Sequence, residues 1–399
     1  MSKSSVLPQG FRAAAVACGI KTDHTKLDVS LIVSDRPAAA AGVFTQNRVA
    51  AAPVRVCQRR VPSKEARAIV ANSGNANACT GESGLADAQR MTELVASQLG
   101  CSPDSVLVCS TGIIGERLPM QKIEPGILRA AQALAAGPEA LEQAARGIMT
   151  TDTVPKLAVR SAELEGCAIR LAGIAKGAAM IGPNMATMLS FVLTDAAVTP
   201  DVFQSQLRNA VDQSFNMISV EGHTSTNDTV LALANGAAGG PPLAGAALAQ
   251  FSRLLTDVCT ELAQAIVRDA EGAKHFVTIE VEGLRSPLEA RQVAKAIAES
   301  ALVKTAIYGA DPNWGRFVSA AGYCGVEFDE KDLSLWLDGR PLYDHGTPVA
   351  FDAAAASDRL RNERTAHLHL KFDLGTAGCQ FWTCDLTEDY VKLNADYHT

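Results

Sequence analysis

Aromatic residues are scarce in this sequence, at 5% of 399 residues. No apolar run approaches the roughly 18 residues that a membrane-crossing helix needs. The N-terminal Met1-Ser-Lys-Ser-Ser-Val-Leu-Pro8 has no apolar core of the kind a secretory leader requires, and it is too short and poorly basic for a transit peptide. No run of Lys and Arg is longer than Arg59-Arg60, and the net charge is −7. That balance argues against nonspecific nucleic-acid binding. The ten cysteines (18, 57, 79, 101, 109, 167, 259, 324, 379 and 384) form no C-x-x-C pair, and even Cys379 and Cys384 have four residues between them. They read as reduced, mostly buried thiols of a cytoplasmic protein. A zinc site would need closer spacing and a nearby His cluster. His367 and His369 would share a strand face, but no carboxylate or Cys stands at matching spacing, so no metal is expected. The sequence has no Gly-x-Ser-x-Gly elbow, Walker loop, Gly-x-Gly-x-x-Gly, internal repeat or low-complexity linker.

What is present is ordinary for a globular protein: 47% hydrophobic and 20% charged residues, rich in Ala, Gly and Val. The length allows two domains or one large layered one. Strands are predicted at 28–34, 67–72, 105–109, 188–194, near 216–220, and at 276–281, 368–372 and 381–386. A hairpin is predicted over 156–174 with its turn at Glu165-Gly166. Helices are predicted at 83–99, 119–136, 138–149, 200–212, 243–267, 286–300 and 387–393. The elements cluster rather than alternate strictly as βαβ, which predicts an antiparallel or mixed sheet layered with helices.

The most informative stretch is Lys176-Gly-Ala-Ala-Met-Ile-Gly-Pro-Asn-Met-Ala-Thr-Met-Leu189. A lone Thr is ordinarily a strand residue, and its hydroxyl is a poor nucleophile without a base beside it. Cutting the chain just before Thr187 would supply one. The new α-amine titrates at roughly 8, close enough to neutrality to serve as a base.

This stretch resembles the signature of the ornithine acetyltransferase family (glutamate N-acetyltransferase, ArgJ). Members carry Lys-Gly-x-x-Met-Ile-x-Pro-Asn-Met-Ala-Thr-Met-Leu and cleave themselves between the Ala and the Thr. The corresponding bond here is Ala186–Thr187. The two variable positions, usually Ser and Gly, are Ala178 and Ala179 in this chain. The resemblance runs from Leu7-Pro-Gln-Gly-Phe11 to Thr399. It implies a layered α/β/β/α sandwich-like fold, resembling N-terminal nucleophile hydrolases in layout.

Further segments carry the resemblance. Ser110-Thr111-Gly112 ends a predicted strand and enters a turn. The family uses such a Thr-Gly pair as an oxyanion hole, which points to Thr111 and Gly112. Met149-Thr-Thr-Asp-Thr-Val-Pro-Lys156 resembles a segment with a substrate-contacting Thr; Thr150 is assigned, ahead of Thr151 and Thr153. Lys176 is the implied partner of a substrate carboxylate. Arg268-Asp-Ala-Glu-Gly-Ala-Lys274 resembles a family segment whose carboxylate binds substrate, here Glu271; Lys274 is given no role. The ending Asn394-Ala-Asp-Tyr-His-Thr399 implies that Asn394 and Thr399 reach the substrate. Two matching segments, Glu221-Gly-His-Thr-Ser-Thr-Asn-Asp228 and Gly309-Ala-Asp-Pro-Asn-Trp-Gly-Arg316, are read as structural.

The resemblance thus implies a self-processing enzyme of arginine biosynthesis. Residues 1–186 become an α subunit and 187–399 a β subunit that begins with the nucleophile Thr187, assembled as an α2β2 heterotetramer. The acetyl group of N2-acetyl-L-ornithine passes to Thr187 and then to L-glutamate in a ping-pong sequence. No metal or organic cofactor is implied, and acetyl-CoA stands as an open second donor. Two alternatives are an N-terminal-nucleophile amidase or aminopeptidase, which passes the acyl group to water, and an uncleaved noncatalytic homologue.

Overall fold

The computed structural model describes residues 7–182 and 188–396. The chain opens with β1 (Phe11–Val16) and the long β2 (Val29–Phe44). A short α1 (Ala52–Gln58) leads to β3 (Ser63–Asn75), α2 (Gly81–Leu99) and β4 (Val106–Ile113). Helices α3 (Met120–Gln132) and α4 (Pro138–Ile148) precede the hairpin β5 (Lys156–Leu164) and β6 (Cys167–Lys176). Next come β7 (Leu189–Thr194), α5 (Pro200–Asp212), the two-residue β8 (Ile218–Ser219), β9 (Thr229–Ala234) and α6 (Gly245–Arg268). The remainder holds β10 (Phe276–Leu284), α7 (Pro287–Glu299), α8 (Ala301–Tyr308), α9 (Trp314–Gly322), β11 (Leu333–Leu337), β12 (Arg340–Asp344) and β13 (Thr347–Pro348). It closes with α10 (Ala353–Asn362), β14 (Thr365–Phe372), β15 (Ala377–Cys384) and α11 (Glu388–Asp396).

Local chemistry sets several boundaries. Pro200 opens α5 at a position where a missing N–H costs nothing. The Ser286 side chain accepts from Glu289 N to cap α7. Gly100, in the left-handed conformation, ends α2.

Two mixed sheets result. The first has the order β4-β3-β2-β9-β7-β6-β5, with β1 paired to β2; the second runs β13-β12-β11-β14-β10-β15-β8. In the first sheet β3/β4 and β7/β9 are parallel and the other pairs antiparallel. The mixed pairing follows from clustered rather than alternating elements. β2 pairs with β3 in both its halves and takes two further partners in succession, β1 along Val29–Ser34 and β9 along Ala39–Phe44. The strands β9 and β7 stand between β2 and β6, so the sheet is continuous across the segment that joins β6 to β7.

One face of this sheet, through Ile174, Phe191, Leu193, Leu231 and Leu233, packs on α2, α3 and α4. The other face, through Leu171, Val192 and Ala232, packs on α5 and α6, and the same core continues into Val277, Ile279, Leu368 and Leu370 of the second sheet. Helix α7 lies on that second sheet, where Thr383 Oγ1 donates to Ala298 O. The layered α/β architecture expected from the resemblance is present. Burial on both faces makes β7 and β9 mostly apolar along their whole length, with Ser190 the interior exception in β7.

The described cysteines are all unpaired; Cys57, Cys109, Cys259 and Cys384 are buried and Cys79 is exposed. No described helix is long and apolar enough to cross a membrane. The strand expected near 216–220 shrinks to β8 after a 3-10 turn at Phe215–Met217. The His pair on β14 does have carboxylates beside it, from the neighbouring β10: His367 Nε2 lies 3.0 Å from Glu280 and His369 Nε2 3.3 Å from Glu282. Sequence spacing missed these because β10 and β14 are distant in the chain.

Candidate active site

Lys176 is the last residue of β6, where it pairs with Leu189 at the start of β7. Its side chain is buried, and Nζ donates to Thr111 Oγ1 at 3.3 Å. That leaves the Thr111 hydroxyl proton free to be donated elsewhere. Thr111 sits near the end of β4, followed by Gly112 at φ +133. A Cβ on Gly112 would come within 2.3 Å of Gly74 C in the adjacent strand, so only glycine fits there.

A buried ionic network anchors this corner. Lys156 Nζ donates to Asp152 Oδ1 and Asp269 Oδ2, each at 2.6 Å. Asp152 Oδ1 also accepts from Gly177 N at 2.7 Å, and Asp152 Oδ2 from Thr150 N at 3.0 Å. Burial alone would raise the Asp152 carboxyl, but Lys176, Lys156 and the Gly177 amide outweigh it and bring it down to about 2. Burial lowers the Lys176 ammonium against the opposing pull of Asp152. Thr153 gives both its amide and its hydroxyl to Asp269. Among the described residues, no hydrogen bond engages the hydroxyls of Thr150 and Thr151, which line the adjoining cleft.

That cleft has a volume of about 940 Å³. Gly74 and Gly112 form one side, Thr150 to Val154 another, and Asp269 to Ala273 with Leu393 a third. Lys21 is on its wall, with an ammonium that burial brings down to about 8. Glu271 is held from two directions. Its amide donates to Ala178 O at 2.9 Å, and its Oε2 accepts from Asn394 Nδ2 at 3.0 Å. Asn394 reaches it from α11, which is docked by Thr387 Oγ1 donating to Gly272 O.

Thr111, Gly112, Lys176, Thr150, Glu271 and Asn394 therefore converge on one region of the molecule. Ala186, Thr187 and Thr399 lie outside the described residues. The flanking Ile181 and Met188 are described: Ile181 O accepts from Val220 N at 2.7 Å, and Met188 N donates to Asp228 Oδ1 at 3.0 Å. Ala178 and Ala179 are not at positive φ; that conformation falls on Met180, at φ 58. The two Ala for Ser-Gly replacements thus need no conformation that Ala resists. Lys274 turns away, its Nζ 4.9 Å from the centre of the Tyr308 ring.

Sequence reasoning missed Asp152, Lys156, Asp269 and Lys21. The first two stand inside the quoted Thr-rich segment, where an acid and a base four residues apart around Pro155 were the available signal. The segment Gly309–Arg316 serves as a helix junction: Asp311 N donates to Ala306 O at the end of α8, and Arg316 Nη1 to Leu302 O.

The sequence matches the ArgJ family over residues 12–399. The arginine biosynthesis bifunctional protein ArgJ of Thermosynechococcus vestitus is 47% identical over 98% of this chain and 97% of its own length. That of Symbiobacterium thermophilum is 48% identical over 98% of each chain. A crystal structure of the argJ protein from Bacillus halodurans is 39% identical and covers 53% of this chain and 100% of that one, with a TM-score of 0.52. The layered fold, its cleft and these relatives define a biosynthetic enzyme. The chain belongs to the ArgJ family.

Proposed function

We propose that this chain is a self-processing acetyltransferase that moves the acetyl group of N2-acetyl-L-ornithine to L-glutamate. The observation that carries this reading is the cleft lined by Gly112, Thr150 and Glu271, with Asn394 bonded to Glu271 and the buried Lys176–Thr111 contact adjoining Gly112. An acyl acceptor with both an α-carboxylate and an amine needs a cation and an anion near each other, and Lys176, close enough to feel the Glu271 charge, forms such a pair with it.

After cleavage at Ala186–Thr187, the Thr187 amine takes the hydroxyl proton as its oxygen attacks the acetyl carbonyl carbon. The Thr111 hydroxyl and the Gly112 amide donate to the oxyanion. The C–N bond breaks, ornithine leaves with the proton, and an acetyl ester remains on Thr187. The amine of glutamate then attacks this ester, its proton passes by way of the Thr187 amine to the Thr187 oxygen as the ester C–O bond breaks, and N-acetylglutamate departs. Thr150, Asn394 and Thr399 contact the substrate. No metal or organic cofactor enters this scheme, and acetyl-CoA as a second donor is a matter for direct assay. Residues 1–186 and 187–399 form the α and β subunits of an α2β2 assembly in the cytoplasm.

The test is an assay of purified protein with acetylornithine and glutamate, beside intact masses of the wild type and Thr187→Ala. Two fragments and N-acetylglutamate are expected from the wild type, and one inactive chain from the variant. Acetate in place of N-acetylglutamate would favour a hydrolase. A single wild-type chain without turnover would overturn the reading.

A further inference from the structure

The segment Glu221–Asp228 has an acidic residue at each end, and the two carboxyls meet the backbone at two different places. Glu221 Oε1 accepts from Ile181 N. Asp228 Oδ1 accepts from Met188 N at 3.0 Å. Between those two anchored amides lies the Ala186–Thr187 bond. We infer that Glu221 and Asp228 are positioning residues for self-cleavage, together holding the chain on the two sides of the scissile bond. This inference rests on the self-processing reading above.

The upstream grip is built from both sides of one residue. While Glu221 takes the Ile181 amide, Ile181 O accepts from the amides of Val220 (2.7 Å), Glu221 (3.2 Å) and Gly222 (3.2 Å). The next residue, Gly182, passes so close to this turn that a Cβ on it would lie 2.4 Å from Gly222 C. The downstream grip is equally two-sided. Asp228 takes the Met188 amide, and Met188 O accepts from Thr229 N at 3.1 Å. Asp228 is in turn fixed by its own carbonyl, which accepts from Thr45 N at 2.9 Å.

Plain structural duty is a poor account of these acids. The Asp228 carboxyl and Glu221 Oε2 are shielded from water, which is costly for a carboxyl. Asp228 is fully buried, and Glu221 Oε2 has no contact with solvent. Glu221 Oε2 and Asp228 Oδ2 have no close hydrogen-bond partner among the described residues, while the amides of Met180 and Ser225 lie near the two carboxyls. Thr45 lies close to Asp228, but it commits its hydroxyl proton to Ser225 O at 2.6 Å. Lys176 faces Asp228, whereas Lys304, Glu271, Tyr390 and Cys384 face Glu221. Burial pushes Glu221 up to about 7 and Asp228 well above the usual carboxylate range.

Self-cleavage is demanding in geometry. The Thr187 oxygen must bond to the Ala186 carbonyl carbon as the hydroxyl proton passes to the Thr187 nitrogen and the C–N bond breaks. Water then hydrolyses the resulting ester, restoring the hydroxyl and leaving Ala186 with a carboxylate. A misplacement of about 1 Å costs such a step about 10²-fold. Fixing both ends of a short segment lowers the conformational entropy lost when its reacting atoms are aligned.

The test follows fragment formation by intact mass in four variants. Asp228→Ala and Glu221→Ala remove the grips; Asp228→Asn and Glu221→Gln keep an acceptor oxygen for the same amide. The same changes in a Thr187→Ala background report folding through the melting temperature of the uncut chain. The alanine variants should cut about 10²-fold more slowly, and the amide variants should restore cutting to within a few-fold of wild type. Alanine variants that cut at the wild-type rate would overturn the inference. So would folded amide variants that fail as the alanine ones do, since charge rather than position would then be required. If Asp228→Ala does not fold, Glu221→Ala and the amide pair decide. A wild-type chain that never cuts sinks the self-processing reading itself, whereas a wild type that cuts beside indifferent variants sinks only this inference.

Discussion

Lys176 Nζ lies 3.3 Å from Thr111 Oγ1 although their strands, β6 and β4, stand five steps apart in the first sheet. At ~4.8 Å per step, a flat sheet would separate those strands by about 24 Å. The sheet must therefore curl strongly. Between Val33 and Ala39 the β2/β3 register shifts and β1 gives way to β9 as the second partner of β2. Asn227 secures the curl, its Nδ2 donating to Ala76 O at 2.6 Å and to Ser110 O at 2.8 Å.

Replacing Thr111 tests the proposed oxyanion donor. Thr111→Ala should lower kcat about 10²- to 10³-fold with little change in KM, because the donor matters once charge develops on the oxygen. Thr111→Ser retains the hydroxyl and should recover most of the rate. Steady-state kinetics on processed enzyme decide between them.

Glu271→Gln should raise KM for acetylornithine about 10- to 100-fold, the worth of a charged hydrogen bond, and leave the melting temperature nearly unchanged. Asn394→Ala should act in the same direction but less strongly, because it frees the Glu271 carboxylate without neutralising it.

Gly112→Ala should abolish turnover and lower the melting temperature. The added Cβ would meet Gly74 C at 2.3 Å on a backbone that L residues rarely adopt. Strain of at least about 1–3 kcal/mol follows. A variant with wild-type rate and melting temperature would contradict the described turn.

The Asp152 network predicts an acid limb. Its folded-state carboxyl sits near 2, below the ordinary 3.8. A depressed value contributes stability above pH 3.8 that is lost as pH falls from there toward 2, an amount of about 2 kcal/mol. Asp152→Asn should therefore be less stable than wild type at pH 7, with the gap narrowing below about pH 4. Chemical denaturation at stepped pH measures it.

His275 predicts the opposite sign. Its Nδ1 lies 2.6 Å from Asp385 Oδ2, and this partner raises the imidazole above its ordinary 6.5. The stabilisation is complete below pH 6.5 and fades as pH rises through the folded-state value. The melting-temperature gap between wild type and His275→Gln should shrink with rising pH.

Much of the frame was legible in the sequence. The bounds of α5 follow from Pro200 and the apolar spacing behind it, and the β5–β6 turn from Glu165-Gly166. Less legible was β9, because a strand buried on both faces has no alternation to read. The second half of β2 was also hidden, in an Ala-rich run with weak strand preference. The residues of the candidate site were nameable through the family signature, yet their convergence was not. The contact between Thr111 and Lys176 depends on how far the sheet curls, which no local pattern encodes. The segment Glu221–Asp228, read as scaffolding, carries two carboxyls whose targets, Ile181 and Met188, become evident only when the chain has folded around them.

The strand order has a consequence for how such an enzyme comes into being. Strands β7 and β9 belong to the part of the chain after residue 187, yet they are woven between β2 and β6, which belong to the part before it. A cut at Ala186–Thr187 would thus nick a finished fabric without parting it. The two products would remain laced together by their shared ladder hydrogen bonds. Neither stretch of chain alone holds every strand of that sheet, so two chains left by such a cut would complete it only together.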